Sequence, residues 1–155
     1  MMPTSTPEQN VRTLEVSQEE TIAAPIDVVF ETLLEQLGPL NETEPGSPLP
    51  MTLEPWPGGR WYRDLGNNAG HLWGHVQVIK PPTLLEIHGP LFMSYAAVSH
   101  VQYRLTAEGG ATRLALLHRA IGQITPEHHE GVAHGWGYIL ARIRERAEHR
   151  EGAPR

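Results

Sequence analysis

The chain has 155 residues, of which 39% are hydrophobic and 19% charged, and it contains no cysteine. This length predicts one domain, and no apolar run is long enough to cross a bilayer. The absence of cysteine excludes disulfides, thiolate catalysis and cysteine-ligated metal sites, and a formal net charge of −6 argues against binding nucleic-acid phosphates.

Both ends of the chain are predicted to be flexible tails, at residues 1–10 and 151–155, around a single domain at residues 11–150. The first ten residues are rich in Pro, Ser and Thr. They lack the basic flank and the apolar core of a secretory signal, so a cytoplasmic location is expected.

The domain is predicted to begin with a strand and then a helix. From Val11 to Ile22 apolar and polar residues partly alternate, as in a strand with one buried face. Ala24 and Pro25 then open an amphipathic helix, because proline suits the first helical turn. The Gly38-Pro39 pair ends that helix.

The middle of the chain reads as a loop followed by strands. Residues 40–50 are proline-rich, acidic and without period, which predicts a surface loop and a candidate cover for an opening. Strand-like runs follow at residues 51–55, 60–65, 71–79 and 84–88, and a last hairpin at 98–106 and 112–120. Their short turns predict antiparallel pairing.

A long C-terminal helix is predicted at residues 125–150, with Thr125 as its cap and Pro126 at its first position. Apolar residues recur with the 3.6-residue period of one buried stripe, at Val132, Trp136, Ile139, Leu140, Ile143 and Ala147. Three glycines interrupt this stripe at positions 131, 135 and 137. Because each disfavours a helix by about 1 kcal/mol relative to alanine, they predict either a close approach of another element or room beside Trp136.

The order of strand, helix, several antiparallel strands and long helix predicts an α+β fold. A sheet of this length must twist and curl, and one long apolar helix laid across its concave face would cover it. The expected architecture is therefore a helix grip, with a curved antiparallel sheet wrapped around the C-terminal helix.

Five segments resemble, in order, the START-like superfamily, also called SRPBCC or birch-pollen-allergen-like. They are I-A-A-P-I-D-V-V-F-E-T-L, E-P-W-P-G-G-R-W, W-G-H-V-Q-V-I-K-P-P, A-T-R-L-A-L-L-H and G-W-G-Y-I-L-A-R-I. Within it the sequence is most similar to proteins like the activator of the heat-shock protein 90 ATPase, over residues 16–147. The resemblance implies a helix-grip fold with a cavity between sheet and helix. The superfamily includes carriers, cyclases, hydrolases and co-chaperone domains, so the resemblance alone does not name a function.

The sequence departs from that branch around the expected mouth of the cavity. Phe30 stands where the branch often has tryptophan, and the segments 40–50 and 89–95 differ from it. The identity of a ligand is therefore the property that can least be inferred for this chain from the family.

Strand alternation, the helical stripe and the resemblance together predict which side chains face the cavity. On the final strand the resemblance implies that the leucine–histidine face points inward. The predicted ligand-binding residues are Trp61, Trp73, Leu85, Ile87, Tyr103, Leu116, His118, Val132, Trp136 and Ile139.

His118 is the one candidate catalytic residue, as a general acid or base inside an apolar chamber. The alternatives are a hydrogen-bond anchor for a ligand, or a structural histidine held by a neighbouring polar group. The sequence supplies no partner triad, so nucleophilic catalysis has no positive signal.

Neither a metal nor another cofactor is predicted. His71, Trp73 and His75 are expected on one strand face, with the two histidines too far apart to hold one ion. His128, His129 and His134 diverge around the last helix and do not converge on a point.

Three functions stay open. The first is a binding protein that holds a small, largely apolar molecule in the cavity. The second is a cyclase, dehydratase or hydrolase that uses His118, and the third is a co-chaperone-like module that binds a chaperone. The expected partner is a small hydrophobic molecule, with a homodimer or a chaperone complex as alternatives and no nucleic acid or membrane insertion.

Overall fold

The computed structural model describes residues 10–152, with the backbone alone for residues 151 and 152. Residues 1–9 and 153–155, which belong to the predicted tails, lie outside the described residues. The elements in chain order are β1 (Arg12–Ile22), α1 (Ile26–Leu37), β2 (Glu42–Thr43), β3 (Ser47–Pro48), β4 (Thr52–Leu53), β5 (Arg60–Gly66), β6 (Ala69–Lys80), β7 (Leu84–Gly89), β8 (Ala97–Glu108), β9 (Ala111–Gly122) and α2 (Pro126–Gly152).

Seven of these strands form one antiparallel sheet in the order β1-β9-β8-β7-β6-β5-β4. The first strand pairs with the last, in a register that runs from Arg12 opposite Gly122 to Ile22 opposite Thr112. The short β2 and β3 pair only with each other and form a small hairpin. The predicted α+β helix-grip fold is confirmed.

The inner face of the sheet carries the core. Along β8 the side chains of Val101, Tyr103 and Leu105 are buried while their neighbours are more exposed, as a period of two requires. On β9 the same alternation buries Leu114, Leu116 and His118. Phe30 and Leu33 of α1 and Trp136 and Leu140 of α2 belong to the same buried cluster.

A bulge in β6 overturns one expectation. Trp61 pairs with Gly74 and Tyr62 pairs with Leu72, which leaves Trp73 as an extra residue in its strand. Trp73 is therefore half-buried, with its ring centroid 5.1 Å from that of Trp61 on the inner face. His75 lies on the outer face, where its ring stacks on His88 at 6.0 Å. The expectation that His71, Trp73 and His75 share one face is wrong, because the bulge breaks the alternation.

The long helix α2 is fastened to β1 and α1 by polar contacts. Gln18 Nε2 donates to the carbonyl of Ala133 at 2.8 Å, and the guanidinium of Arg150 reaches Glu35 at 2.5 Å. Arg144 lies 3.3 Å from Glu20 and is half-buried, so the charged side of α2 also forms ion pairs with β1. Within the described residues no helix is long and apolar enough to span a membrane.

The three glycines of α2 divide into two cases. A Cβ added at Gly137 would lie 3.5 Å from Gln18 Oε1, which is ordinary contact with β1. A Cβ at Gly131 or Gly135 would meet no atom within 4 Å. At these two positions the interpretation as close approach is wrong, and the glycines leave open space instead.

We expect Gly131→Ala and Gly135→Ala each to raise the free energy of unfolding by about 0.5–1 kcal/mol, because alanine favours the helix and its methyl group meets open space. Urea unfolding of each variant measures this change. Gly74→Ala is the control, since its Cβ would lie 2.6 Å from the carbonyl oxygen of His88 and should destabilise the protein. A loss of stability in both helical variants would contradict the interpretation.

Candidate functional site

A cavity of about 470 Å³ lies between the β2–β3 hairpin and the first half of α2. Its lining comes from three parts of the chain: the end of α1 and the hairpin, the inner face of the sheet with the loop after β7, and α2. The lining residues are Leu37, Asn41, Glu42, Thr43, Glu44, Leu49, Trp61, Trp73, Phe92, His128, Gly131, Val132, His134, Gly135, Trp136, Tyr138 and Ile139. The exposed members, Thr43, Glu44, Gly131, His134 and Gly135, mark its mouth.

The deep wall of the cavity is built from aromatic rings in edge-to-face contact. Ring centroids are 5.1 Å apart for Trp61 and Trp73, 5.8 Å for Trp73 and Phe92, and 6.3 Å for Phe92 and Trp136. This spacing is the favoured geometry for aromatic pairs. Trp61 donates its indole N–H to the carbonyl oxygen of Leu37 at 2.7 Å. The sheet therefore presents a wall of aromatic rings, and the buried indole N–H of Trp61 already has a hydrogen-bond acceptor.

Behind that wall, a chain of hydrogen bonds joins α2 to β9 and β8. Trp136 Nε1–H donates to His118 Nδ1 at 2.9 Å, and His118 Nε2 lies 3.0 Å from Ser99 Oγ. Because the indole can only donate, Nδ1 must be the unprotonated nitrogen, so Nε2 carries the proton and donates to Ser99. Burial lowers the pKa of His118 to about 4, so the ring is neutral at neutral pH.

This chain bears on the catalytic candidate. His118 is buried and is not part of the cavity lining. Both of its ring nitrogens are engaged by protein groups, and Trp136 stands between it and the cavity. A proton could be transferred from a substrate to Nδ1 only if Trp136 moved away. The geometry thus matches a structural histidine held by polar neighbours.

The predicted ligand-binding residues fall into two groups. Trp61, Trp73, Val132, Trp136 and Ile139 line the cavity. The others lie buried behind this wall and contribute no surface to it; they are Leu85, Ile87, Tyr103, Leu116 and His118. Contact of any of the ten with a ligand stays a prediction.

The rim of the cavity contains a charged cluster that the sequence reading missed. Glu42 accepts hydrogen bonds from Tyr138 at 3.0 Å, Arg142 at 2.6 Å and Arg146 at 3.2 Å. Burial raises the pKa of Glu42, but the hydrogen bonds from Arg142 and Tyr138 and the two arginine charges outweigh this effect and leave the pKa lowered. The carboxylate is thus charged, and it ties the β2–β3 hairpin to α2.

Two aromatic residues of the loop after β7 were also missed. Phe92 lines the cavity and contacts the rings of Trp73, His128 and Trp136. The Tyr95 hydroxyl is hydrogen-bonded to His128 Nδ1 at the cavity edge. Burial raises the pKa of Tyr95, so this hydroxyl stays protonated. The aromatic content of residues 92–95 was the only sequence signal for this contact.

Residues 23–148 match the family described as "Activator of Hsp90 ATPase homolog 1-like protein". No curated protein matches the chain. The match covers α1, all strands after β1 and α2 as far as residue 148, so it includes every part of the cavity.

Several solved structures share the fold. An uncharacterised protein from Rhizobium leguminosarum is 17% identical with a TM-score of 0.69, covering 90% of this chain and 97% of that one. Protein NE0264 from Nitrosomonas europaea is 18% identical with a TM-score of 0.65, covering 90% and 97%. DynU16, a protein in the dynemicin biosynthetic locus, is 16% identical with a TM-score of 0.61, covering 84% of this chain and 46% of that one. At these identities the likeness shows the fold alone.

We expect His118 to make stability depend on pH. Its folded pKa of about 4 lies below the ordinary value of 6.5, so the unfolded chain binds the proton first as pH falls. The stability that the neutral His118 ring contributes to the folded protein is complete above pH 6.5. It is lost as the pH falls from 6.5 to 4, and the loss amounts to at most roughly 3 kcal/mol. Urea unfolding at several pH values in this range should show that the free energy of unfolding falls less steeply with falling pH in His118→Gln than in the parent protein. Equal slopes in the two proteins would contradict the buried neutral ring.

We expect Glu42→Gln to loosen the β2–β3 hairpin, because it removes the charge that Arg142 and Arg146 contact. The variant should lose about 1–2 kcal/mol of local stability, seen as faster amide exchange at residues 41–49. Glu44→Gln is the matched control, since its ion pair with His134 is half-exposed and contributes less. Unchanged exchange in Glu42→Gln would show that other contacts hold the hairpin.

Proposed function

The chain belongs to the family of activator of Hsp90 ATPase homolog 1-like proteins, and we propose that it binds a small, largely apolar molecule in the cavity between the sheet and α2. The cavity itself carries this proposal. Its volume of about 470 Å³ falls within the range of about 300–1,000 Å³ that small-molecule sites occupy. A well-packed domain of this size has no need for such a space.

The lining suits an apolar ligand. The deep part consists of Trp61, Trp73, Phe92 and Trp136, and Val132 and Ile139 continue this surface along α2. Burying apolar surface against such walls stabilises a complex by roughly 25 cal/mol per Å² before the entropic losses of association are subtracted. Binding energy would therefore come from the ring surfaces.

Orientation of the ligand would come from a few polar groups near the mouth. Tyr138 and His128 line the cavity and are half-buried, whereas His118 lies behind the wall. The Tyr95 hydroxyl is hydrogen-bonded to His128 Nδ1, which leaves Nε2 as the ring nitrogen without a bond to that hydroxyl. This nitrogen offers a hydrogen-bonding group to a ligand.

Binding is favoured over the alternative of acid–base catalysis by His118. A catalytic base must lie within hydrogen-bond reach of the proton that it removes. His118 does not line the cavity, and its nitrogens are occupied by Trp136 and Ser99. The proposal therefore assigns it the role of holding Trp136.

Binding of a fluorescent hydrophobic probe, and its competitive displacement by small apolar ligands, tests the proposal. We expect Gly135→Leu to weaken probe binding at least about tenfold, because the new side chain would occupy open space at the cavity wall. Titration calorimetry would measure the affinities.

Gly110→Leu is the matched control for this experiment. Gly110 lies in the turn between β8 and β9, away from the cavity, and a Cβ there also meets no atom within 4 Å. This variant should bind the probe as the parent protein does. A parent protein that binds no probe, or equal binding by Gly135→Leu and the parent, would overturn the proposed function.

A further inference from the structure

We propose that the cavity takes a flat aromatic molecule bearing an amine or another cationic group, and that it discriminates against carboxylic acids. This inference rests on the proposed function and narrows its ligand class. Three features of the lining carry it: which donors face the cavity, what the ring surfaces attract, and which charges stand at the mouth.

Three hydrogen-bond donors of the lining are engaged by other protein groups. The indole N–H of Trp61 is held by the carbonyl oxygen of Leu37 at 2.7 Å, and that of Trp136 by His118 Nδ1 at 2.9 Å. The Tyr138 hydroxyl donates to Glu42 at 3.0 Å. A carboxylate brought into this cavity would lose its water, and these three donors would not replace it, which is unfavourable.

The ring surfaces themselves favour a cation. Trp61, Trp73, Phe92 and Trp136 line one continuous wall. The face of an aromatic ring is negative, and a cation within about 6 Å of a ring centre is attracted to it, most strongly by tryptophan. An aromatic ligand could pack against this wall while its cationic group contacts a neighbouring ring face.

The charges at the mouth point the same way. Among the described residues that line the cavity, the carboxylates are Glu42 and Glu44, and there is no lysine or arginine. Glu42 is compensated by Arg142 and Arg146. Glu44 has a half-exposed side chain that contacts His134 Nε2 at 2.7 Å. Glu44 is therefore the carboxylate best placed to attract a ligand cation.

The groups that would oppose this preference are largely engaged. Arg142 also contacts Glu145 at 2.7 Å. The N-terminus of α2, which attracts anions, has the backbone N–H of His128 capped by Thr125 Oγ1 at 3.3 Å. The donors that remain in the lining are uncharged groups, such as the hydroxyl of Thr43, the indole N–H of Trp73 and the imidazole of His128 when it is unprotonated. Without a lysine or an arginine beside them, such donors do not fully replace the hydration of a carboxylate.

A matched series tests the inference: naphthylmethylamine, naphthylmethanol and naphthoate share one ring system and differ in charge. Their affinities can be measured by calorimetry and by quenching of tryptophan fluorescence, since Trp61, Trp73 and Trp136 line the cavity. At neutral pH and low salt we expect the amine to bind most tightly, and at least about tenfold more tightly than the carboxylate. Added salt should reduce this ratio.

Two variants locate the effect. Glu44→Gln should weaken amine binding by about threefold and leave the alcohol unchanged. Glu19→Gln removes the same charge from an exposed position on β1 that does not line the cavity, and it should change neither affinity. Equal loss of amine binding in both variants would show an effect of net charge and overturn the role of Glu44.

The outcomes separate this inference from the proposed function. If the carboxylate binds as tightly as the amine or more tightly, the inference is wrong while binding in the cavity stands. If no member of the series binds and the hydrophobic probe does not bind either, both fail. If the probe binds and Gly135→Leu blocks it, but the naphthalene series does not bind, the ligand class alone is wrong.

Discussion

The hydrogen bond from the Trp136 indole to His118 is the contact on which the site depends. The first half of α2 contains Gly131, Gly135 and Gly137, each unfavourable in a helix by about 1 kcal/mol relative to alanine. That half must therefore be held by what it packs against, and Trp136 is its largest buried side chain. Leaving the buried indole N–H without its acceptor would cost about 1–3 kcal/mol. The same side chain is thus an anchor on the sheet and a wall of the cavity.

The cavity exists because different forces set its two sides. On the sheet side, Trp61 and Trp73 pack edge to face and form a continuous aromatic surface. On the outer side, the β2–β3 hairpin is attached to α2 through Glu42, whose partners Arg142 and Arg146 do not line the cavity. A polar attachment holds the hairpin beside the helix and leaves the space open.

The sequence predicted what short-range periodicity controls. Alternation grouped the residues that share a face of each strand, and the 3.6-residue stripe placed Trp136 against the sheet. That the face of His118 points inward was implied by the family resemblance. The sequence did not predict the bulge at Trp73, because a bulge depends on how two strands pair and not on either strand alone. Once the bulge shifts one residue, every side chain beyond it changes face.

The rim was beyond prediction for a related reason. Residues 40–50 have no period, and Glu42 meets its partners Tyr138, Arg142 and Arg146 across separations of 96, 100 and 104 residues. The contact of Tyr95 with His128 spans 33 residues. Such pairs follow from the folded arrangement of α2 over the sheet, so they become visible only when the tertiary structure is known. The glycines gave a partial signal, since open space was one of the two meanings that their positions allowed.

The stabilising contacts of this fold also decide what its cavity can recognise. The donors of Trp61, Trp136 and Tyr138 each hold one part of the structure to another, and the guanidinium groups of Arg142 and Arg146 hold the hairpin. Groups that make these contacts are not available to bind a ligand, because breaking the contacts would leave a buried donor or charge without its partner. What remains on the cavity side is mainly ring surface, together with the imidazole of His128, the hydroxyl of Thr43 and the carboxylate of Glu44 at the mouth. A ligand can therefore contact only those groups that the fold does not use for its own hydrogen bonds and ion pairs. In this cavity these groups are mainly aromatic and acidic.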